Sequence, residues 1–182
     1  THLVLAILQD VDPVLFVKFT PPWEEGVIYT TEEGMEKRKA DLEHIVDVRL
    51  PEVIKQIGQA AEFGDLRENA EYKAALEERS RLADQAARIQ EELSEARIIT
   101  HELADTDYVT IGSKVLARNL DTNEEQSLTF MGPWNANPSE GVYAYNAPLG
   151  EAFMGATLGQ EVEFDTGTVV RHWKVLEVEP AL

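Results

Sequence analysis

Residues 31–100 contain two apolar series that mirror each other about position 66. Folding the chain at that point pairs residue 60 with 72, 57 with 75, 50 with 82 and 46 with 86. Mirrored series at heptad-like spacing predict two helices packed as an antiparallel coiled coil with a tight turn between them. The first series is Leu42, Val46, Leu50, Val53, Ile57 and Ala60, and the second is Tyr72, Ala75, Leu82, Ala86, Ile89, Leu93 and Ala96.

Three features refine this prediction. Thr31, followed by two glutamates, is a suitable helix start because its hydroxyl can accept from an unpaired backbone N–H. Pro51 lies inside the first arm, where proline costs about 3 kcal/mol, so a kink or break is expected there. Arg79 falls opposite Val53 and interrupts the apolar seam. The second arm, residues 69–98, would reach about 45 Å at 1.5 Å per residue.

The remaining chain differs in pattern on both sides of the coiled coil. Residues 105–182 contain short strand-like stretches separated by turn-rich pieces, which predicts a small, mostly antiparallel sheet. The strands are expected at residues 109–117, 126–131, 142–146, 161–164 and 169–178, with a short helix at 148–155. Residues 1–30 fit either a strand or a short helix and are interpreted as an N-terminal extension, the remnant of a preceding domain. The overall prediction is an α+β fold.

Charge and composition limit the partners of this chain. It has 182 residues, with 16 basic and 34 acidic side chains and a net charge of −18. Such a charge repels phosphate backbones, so autonomous DNA binding is not expected and a protein with a basic groove is the more natural partner. The absence of cysteine excludes disulfides and thiolate zinc sites. The apolar run at residues 3–8 is too short to span a bilayer, and a cytoplasmic monomer is expected.

The predicted turn contains the sequence Gly64-Asp65-Leu66-Arg67-Glu68-Asn69-Ala70-Glu71-Tyr72. Two interpretations of its carboxylates remain open. Asp65 and Glu68 have the spacing of a capping box, in which side-chain oxygens satisfy the first N–H groups of the second helix. Alternatively, the pair binds a divalent cation. Mg²⁺ takes one or two protein carboxylates and completes its shell with water and phosphate oxygens, so this pair alone would bind it weakly.

The chain resembles the bacterial Gre transcript cleavage factors in two separate motifs. The first runs from Arg49-Leu50-Pro51-Glu52-Val53 to Phe63-Gly64-Asp65-Leu66-Arg67-Glu68-Asn69-Ala70-Glu71-Tyr72-Lys73-Ala74-Ala75 and is similar to the coiled-coil tip of that family. The second, Asn146-Ala147-Pro148-Leu149-Gly150-Glu151-Ala152-Phe153-Met154-Gly155, is similar to the C-terminal signature, in which Ser-Pro usually stands where this chain has Ala147-Pro148. The resemblance covers about residues 30–180.

The resemblance implies an FKBP-like C-terminal domain at residues 105–182 that docks on the rim of the RNA polymerase secondary channel. Asn146, Ala147, Pro148 and Leu149 are the expected partner-binding residues. The coiled coil, residues 31–100 with its acidic tip at 64–72, would thread the channel. Asp65 and Glu68 would then act as metal ligands and catalytic groups, completing a Mg²⁺ site shared with the polymerase. Backtracked RNA would be cut near its 3′ end, with no activity expected from the factor alone.

Further features concern RNA and alternative functions. Arg67, Tyr72 and Lys73 are candidate contacts to the nascent RNA 3′ end within the complex, although basic residues here can equally pair with neighbouring glutamates. The alternatives are a channel-binding factor that inhibits polymerase without cleavage, a coiled-coil scaffold or chaperone module, and a prolyl isomerase. For the last, Trp134, Tyr143, Tyr145, Phe153 and Trp173 could line a pocket, but their interpretation as core and surface aromatics is preferred.

Overall fold

A computed structural model of the chain describes residues 20–62, 69–103, 106–165 and 167–182. Residues 1–19, which make up most of the predicted N-terminal extension, lie outside this range. The described chain begins with a 3-10 turn at Pro22–Glu24 and a short strand β1 at Tyr29–Thr30. The helical elements that follow are α1 at Glu32–His44, a π-helical segment at Ile45–Arg49, α2 at Leu50–Ala61 and α3 at Ala70–Glu95.

The start of α1 agrees with the prediction from sequence. Thr31 is the N-cap residue in an extended conformation, and its hydroxyl accepts from the backbone N–H of Gly34 at 3.2 Å. Strand β1, just before this cap, pairs in parallel with β2 at Arg97–Ile98, just after α3. The first and last residues of the helical hairpin are therefore held side by side.

The two arms of the hairpin pack along an apolar seam. On α3, Ala75, Leu82 and Ile89 are buried at intervals of seven residues, and on α2, Val53 and Ala60 keep the same interval. A constant interval of seven keeps one helix face turned towards its partner, as in a coiled coil. Two ion pairs join the arms beside the seam, between Arg38 and Glu92 and between Arg49 and Glu78.

The predicted seam is wrong by one residue in the first arm. Val46 is 44% exposed, whereas its neighbour Ile45 is 6% exposed and packs with Val53, Leu82 and Ile89. Ile45 and Val53 are eight residues apart, and the π-helical segment between them absorbs the extra residue, with the Leu50 N–H donating to the Ile45 carbonyl.

Pro51 explains why the irregularity lies here. It follows the π-helical segment as an early residue of α2. It has no N–H to donate, and in a regular α-helix its ring would clash with the carbonyl four residues earlier. The predicted break in the first arm is therefore confirmed, as a change of helix type. Arg79 is exposed and leaves the seam uninterrupted.

The C-terminal part forms a five-stranded sheet. The strands are β3 at Ser113–Asn119, β4 at Glu125–Met131, β5 at Val142–Ala144, β6 at Glu161–Asp165 and β7 at Val170–Pro180. Their order in the sheet is β5-β4-β3-β7-β6, and neighbouring strands are antiparallel except β4 and β5, which are parallel. A helical hairpin followed by a mostly antiparallel sheet confirms the predicted α+β class.

The first predicted strand begins later than expected. Residues 109–111 are buried, but they precede a turn at Gly112, whose φ of 86° is accessible mainly to glycine. The Ser113 N–H donates to the Thr110 carbonyl across this turn, and the Ser113 hydroxyl accepts from the Thr110 N–H. Strand β3 therefore starts only at Ser113.

One face of the sheet is covered by the short helix α4, Pro148–Phe153. Phe153 is fully buried and contacts the ring of Phe130, with ring centroids 5.3 Å apart, and the ring of Trp173 at 6.4 Å. Val115, Leu128 and Val175 are buried in the same cluster. In the described ranges, no helix combines the length and the apolar character that crossing a membrane requires.

Gly132 generates the first testable prediction. A Cβ atom at this residue would lie 1.9 Å from the backbone carbonyl oxygen of Tyr29, which cannot move without displacing β1. We expect Gly132→Ala to lower the free energy of unfolding by about 2 kcal/mol or more, measured by urea denaturation. Gly58→Ala is the control, because a Cβ there meets nothing within 4 Å in the interior of α2. It should stabilise the protein by about 0.5–1 kcal/mol.

The π-helical segment generates a second prediction. Ile45→Ala should lower the free energy of unfolding by about 2–4 kcal/mol because it leaves a cavity in the seam. Val46→Ala should change it by about 0.5 kcal/mol or less, since that side chain is largely exposed. If Val46→Ala destabilised the protein more than Ile45→Ala, Val46 rather than Ile45 would face the seam, as the uninterrupted heptad predicts. That result would contradict the π-helical register.

Candidate functional site

The two arms of the hairpin end beside each other. Helix α2 ends at Ala61 and α3 begins at Ala70, with Asn69 immediately before it. The Asn69 side-chain amide donates to the Ala60 carbonyl at 2.8 Å, so the end of one arm is bonded to the start of the other. The residues between them, 63–68, lie outside the described part of the chain. They include Asp65, Arg67 and Glu68, whose predicted roles remain predictions.

Asn69 also determines how α3 begins. It is the N-cap residue, and its side-chain oxygen accepts from the Tyr72 N–H at 3.0 Å. The capping interpretation assigned this function to Asp65, four residues earlier. Asn69, rather than Asp65, is therefore the N-cap residue of α3. Asparagine is among the preferred N-cap residues, so its residue type is a signal in the sequence. The Asp-x-x-Glu pattern four residues earlier is typical of a helix start as well, and the prediction followed that pattern.

The candidate RNA contacts in the first turn of α3 differ in accessibility. The side chain of Lys73 is exposed, and Tyr72 is half-buried. Further along the helix, Arg81 donates to Glu78 at 2.8 Å and 2.6 Å, which is the intrahelical pairing expected as the alternative to RNA binding. The same bonds hold the pKa of the Glu78 carboxyl below its ordinary value. Of the three candidates, Lys73 is therefore the one that has an accessible positive charge in the described part of the chain.

The surface that flanks the tip is acidic. A groove between the ends of α2 and α3 is lined by polar and small side chains, namely Gln56, Gln59, Ala60, Glu62, Glu71, Ala74, Ala75 and Glu78. Glu62 and Glu71, the acids nearest to residues 63–68 on either side, are both exposed. A tip with this charge is attracted to a basic cavity and repelled by free RNA.

The donor chemistry of the tip suits Mg²⁺ in kind but not in number. Carboxylate oxygens are hard ligands of the type Mg²⁺ prefers, and Asp65 and Glu68 would supply two of the six positions in its shell. Within the described ranges, no group of three or more His, Cys, Asp or Glu side chains is placed to hold a metal ion. A site at the tip therefore needs ligands from outside the chain.

The second motif lies at the edge of the sheet, between β5 and α4. Asn146 and Pro148 are exposed, whereas Ala147 is half-buried and Leu149 packs against the core under the sheet. Ala147 is the N-cap residue of α4 and makes no side-chain capping bond, which the serine usual at this position could provide. A Cβ at Gly150 would lie 2.2 Å from the Ala144 carbonyl oxygen, so the glycine lets α4 pack tightly against β5.

Most of the aromatic residues considered as a pocket belong to packed clusters. Phe153, Trp173 and Tyr145 are buried, and Tyr143 packs against the core. Trp134 differs, because it lies beside the hairpin, with the Arg38 guanidinium 5.7 Å from its ring centroid. The expected interpretation as core and surface aromatics is confirmed. The sequence did not predict that Trp134 would contact the hairpin.

A long helical hairpin followed by a small, mostly antiparallel sheet is the architecture that the resemblance to transcription elongation factors implies. Sequence models of that class match both parts of the chain. The model described as "Transcription elongation factor, N-terminal" matches residues 28–98, and that described as "Transcription elongation factor, GreA/GreB, C-term" matches residues 104–180. The chain belongs to the GreA/GreB family of transcription elongation factors.

Individual relatives agree with this assignment. The chain is 34% identical to the transcription elongation factor GreA of Treponema pallidum (strain Nichols) over 154 residues, covering 85% of this chain and 95% of that protein. It is 36% identical to GreA of Nautilia profundicola over 145 residues, covering 80% and 90%. In Chlamydia trachomatis, a GreA 35% identical over 161 residues is much longer, and the match spans 22% of it. Among solved structures, GreA factor homolog 1 of Thermus thermophilus aligns over 84% of this chain and 99% of its own, with 23% identity and a TM-score of 0.38.

The bridge made by Asn69 generates a third prediction. Asn69→Ala removes the N-cap of α3 and the bond to the Ala60 carbonyl, which should destabilise this end of the hairpin by about 1–2 kcal/mol. We expect amide hydrogen exchange at Tyr72 to accelerate by about tenfold. Asn69→Asp keeps the accepting oxygen and should retain most of the protection at Tyr72. Equal exchange in wild type and Asn69→Ala would show that the cap does not hold this end.

Proposed function

We propose that this protein binds RNA polymerase, enters its secondary channel with the hairpin and stimulates endonucleolytic cleavage of backtracked nascent RNA. Cleavage would give the polymerase a new RNA 3′ end and restart stalled elongation. Membership of the GreA/GreB family supports the transcriptional role. The observation that carries the proposal is the hairpin itself, whose arms end beside each other at Ala61 and Ala70, with Asp65 and Glu68 in the sequence between those ends.

The dimensions of the hairpin support action at a distance. Helix α3 has 26 residues and is about 39 Å long at 1.5 Å per residue. Its last turns lie beside α1, as the bond between Arg38 and Glu92 indicates. The N-cap residue of α1, Thr31, is bonded in turn to Asn135, which follows β4 of the sheet. The ends of the two arms, at Ala61 and Ala70, therefore lie roughly the length of α3 away from the C-terminal domain. A probe of this length lets the domain stay on the polymerase surface while the acids reach an internal site.

The tip acids would act by completing a cation site that neither partner completes alone. We infer that Asp65 and Glu68 each contribute carboxylate oxygens, with the remaining ligands coming from polymerase, RNA and water. Bound Mg²⁺ supplies charge stabilisation and lowers the pKa of a bound water molecule. The carboxylates of this chain would orient that water and balance the charge of the ion. No RNA cleavage is expected from this protein alone, because two carboxylates hold Mg²⁺ weakly.

The C-terminal domain would supply the affinity for polymerase. Asn146 and Pro148 are exposed at the edge of the sheet, where a partner can contact them, and Ala147 and Leu149 support them from below. Residues 101–182 contain 13 acidic and 4 basic side chains, so a basic surface on the partner would be attracted. Lys73, together with Arg67 and Tyr72, is proposed to contact the RNA 3′ end once the hairpin is in place. Acting on polymerase in this way, the protein would work in the cytoplasm as a monomer.

The test uses backtracked elongation complexes incubated with Mg²⁺ and the protein, with release of short 3′ RNA fragments as the measurement. Asp65→Asn combined with Glu68→Gln keeps the size of both side chains and removes the charge that a metal requires. Loss of an outer-shell partner of a metal ligand typically costs about tenfold to a hundredfold in activity. Because Asp65 and Glu68 are proposed as direct ligands, we expect cleavage to fall by at least that much. Helicity should be unchanged, since Asn69 caps α3.

A matched control is available in the acids that flank the tip. The double variant Glu62→Gln with Glu71→Gln also removes two negative charges, from exposed positions near the tip. It should leave cleavage within about twofold of wild type. Equal loss in both double variants would indicate a general charge effect and contradict the metal-ligand role. Polymerase binding without cleavage by the wild type would identify an inhibitory channel-binding factor, and no binding at all would favour a coiled-coil scaffold.

A further inference from the structure

The hairpin and the sheet are joined through one short turn. This is the 3-10 turn Pro133–Asn135, which follows β4 and lies against the beginning of α1. Its residues Trp134 and Asn135 contact the hairpin at two separate places.

Asn135 makes the first contact, through both atoms of its side-chain amide. Its oxygen accepts from the Thr30 hydroxyl at 2.9 Å and from the Thr31 N–H at 3.1 Å, and its nitrogen donates to the Thr31 hydroxyl at 2.6 Å. Thr31 is the N-cap of α1, so one residue of the sheet domain orients the residue that begins the hairpin. Gly34 leaves room for this contact, because a Cβ there would lie 2.7 Å from the Asn135 amide nitrogen.

Trp134 makes the second contact, further along α1. The Arg38 guanidinium lies 5.7 Å from the centroid of the indole ring, a distance at which cation–π attraction operates. Arg38 also donates to Glu92 on α3 through its Nε atom at 3.1 Å, so the contact reaches both arms. Thr31 and Arg38 are seven residues apart, or about 10 Å along the helix axis. Two contacts this far apart determine the direction of an axis, which a single contact cannot do.

The length of the hairpin makes this direction important. A rotation of about 10° at the base moves a point about 39 Å away by about 7 Å. Functional groups at a metal site must be held to within about 0.5 Å of their productive geometry. Small changes at the base are thus converted into displacements at the tip that exceed this tolerance many times over.

We propose that Asn135, assisted by Trp134, is a positioning residue that fixes the angle of the hairpin on the C-terminal domain and so aims the tip. This inference rests on the function proposed above. A chain without the contact samples many hairpin angles, of which few suit the channel, and its apparent affinity falls by the fraction that is competent. Once the hairpin has entered, the channel walls restore the angle. The variant should therefore need more protein for half-maximal cleavage while keeping the maximal rate.

The test measures hairpin direction and cleavage in the same full-length proteins. Because the chain has no cysteine, spin labels can be placed at Lys55→Cys on the hairpin and Leu158→Cys on the sheet domain, both exposed positions. We expect one narrow distance distribution in the wild type and a clearly broader one in Asn135→Ala. In Asn135→Ala the half-saturating concentration for cleavage should rise about fivefold or more, with the maximal rate within about twofold.

Three controls make the result specific. Asn135→Asp keeps the oxygen that accepts from Thr30 and Thr31 and should restore the narrow distribution and the wild-type half-saturating concentration. Asn137→Ala removes a nearby asparagine whose side-chain oxygen accepts from the Ser139 hydroxyl rather than from the hairpin, and it should behave as wild type. If Asn135→Ala does not fold, as judged by its melting temperature, Trp134→Ala provides the same measurements with the hydrogen bonds of Asn135 intact.

The outcomes separate this inference from the proposed function. A distribution in Asn135→Ala as narrow as in the wild type overturns the positioning role, as does a broad distribution with an unchanged half-saturating concentration. Absence of cleavage by the wild type would instead refute the proposed function, and the distance distributions would still decide whether Asn135 fixes the hairpin.

Discussion

The apolar seam between the two arms is the interaction on which the rest of the structure depends. Helices of 12 and 26 residues that project from a small domain have little else to pack against. Isolated helices of the shorter length are marginal in water because nucleation is costly and few hydrogen bonds repay it. Burial of Val53, Leu82 and Ile89 along a shared face supplies the missing stabilisation and keeps the arms parallel to a common axis. Without the seam, the ends of the two arms at Ala61 and Ala70 would no longer be held beside each other.

The seam and the C-terminal joint perform different mechanical tasks. The seam resists separation and bending of the arms, because each buried side chain contacts residues of the opposite arm. The joint resists rotation of the whole hairpin, since β1, α1 and the turn at Pro133–Asn135 are bonded to one another. Gly132 allows the necessary close approach to the Tyr29 carbonyl, and the Tyr145 hydroxyl donates to the Val27 carbonyl at 2.9 Å nearby. If either the seam or the joint were loose, the ends of the arms would not have a fixed position relative to the C-terminal domain.

Sequence periodicity predicted the parts of this fold that local pattern determines. The heptad of α3, the four later strands and the helix at Pro148–Phe153 follow from apolar spacing and from turn residues, which act over a few positions. The shift from Val46 to Ile45 could not be found in this way, because a mirrored heptad assumes one helix type throughout, and Pro51 changes that type. The joint was also out of reach. Asn135 and Thr31 are 104 residues apart, and no pattern in either segment indicates the other. The tip acids were identified by their spacing at the predicted turn, and the family motif added the role at a metal site shared with polymerase. The described cap at Asn69 bears on the capping interpretation, and the metal-ligand role stays a prediction.

The buried residues of the seam become smaller towards the tip. Its buried residues are Ile45 and Ile89 near the base, Val53 and Leu82 further out, and Ala60 and Ala75 near the end. Because the distance between packed helices depends on the side chains at the contact, alanines let the arms approach more closely there. Alanine burial contributes less stabilisation than burial of leucine or isoleucine, so this end of the seam is held less strongly by apolar contacts. Polar bonds must then hold the end together. Asn69 provides them, since one amide caps α3 and also bonds to the Ala60 carbonyl of the other arm.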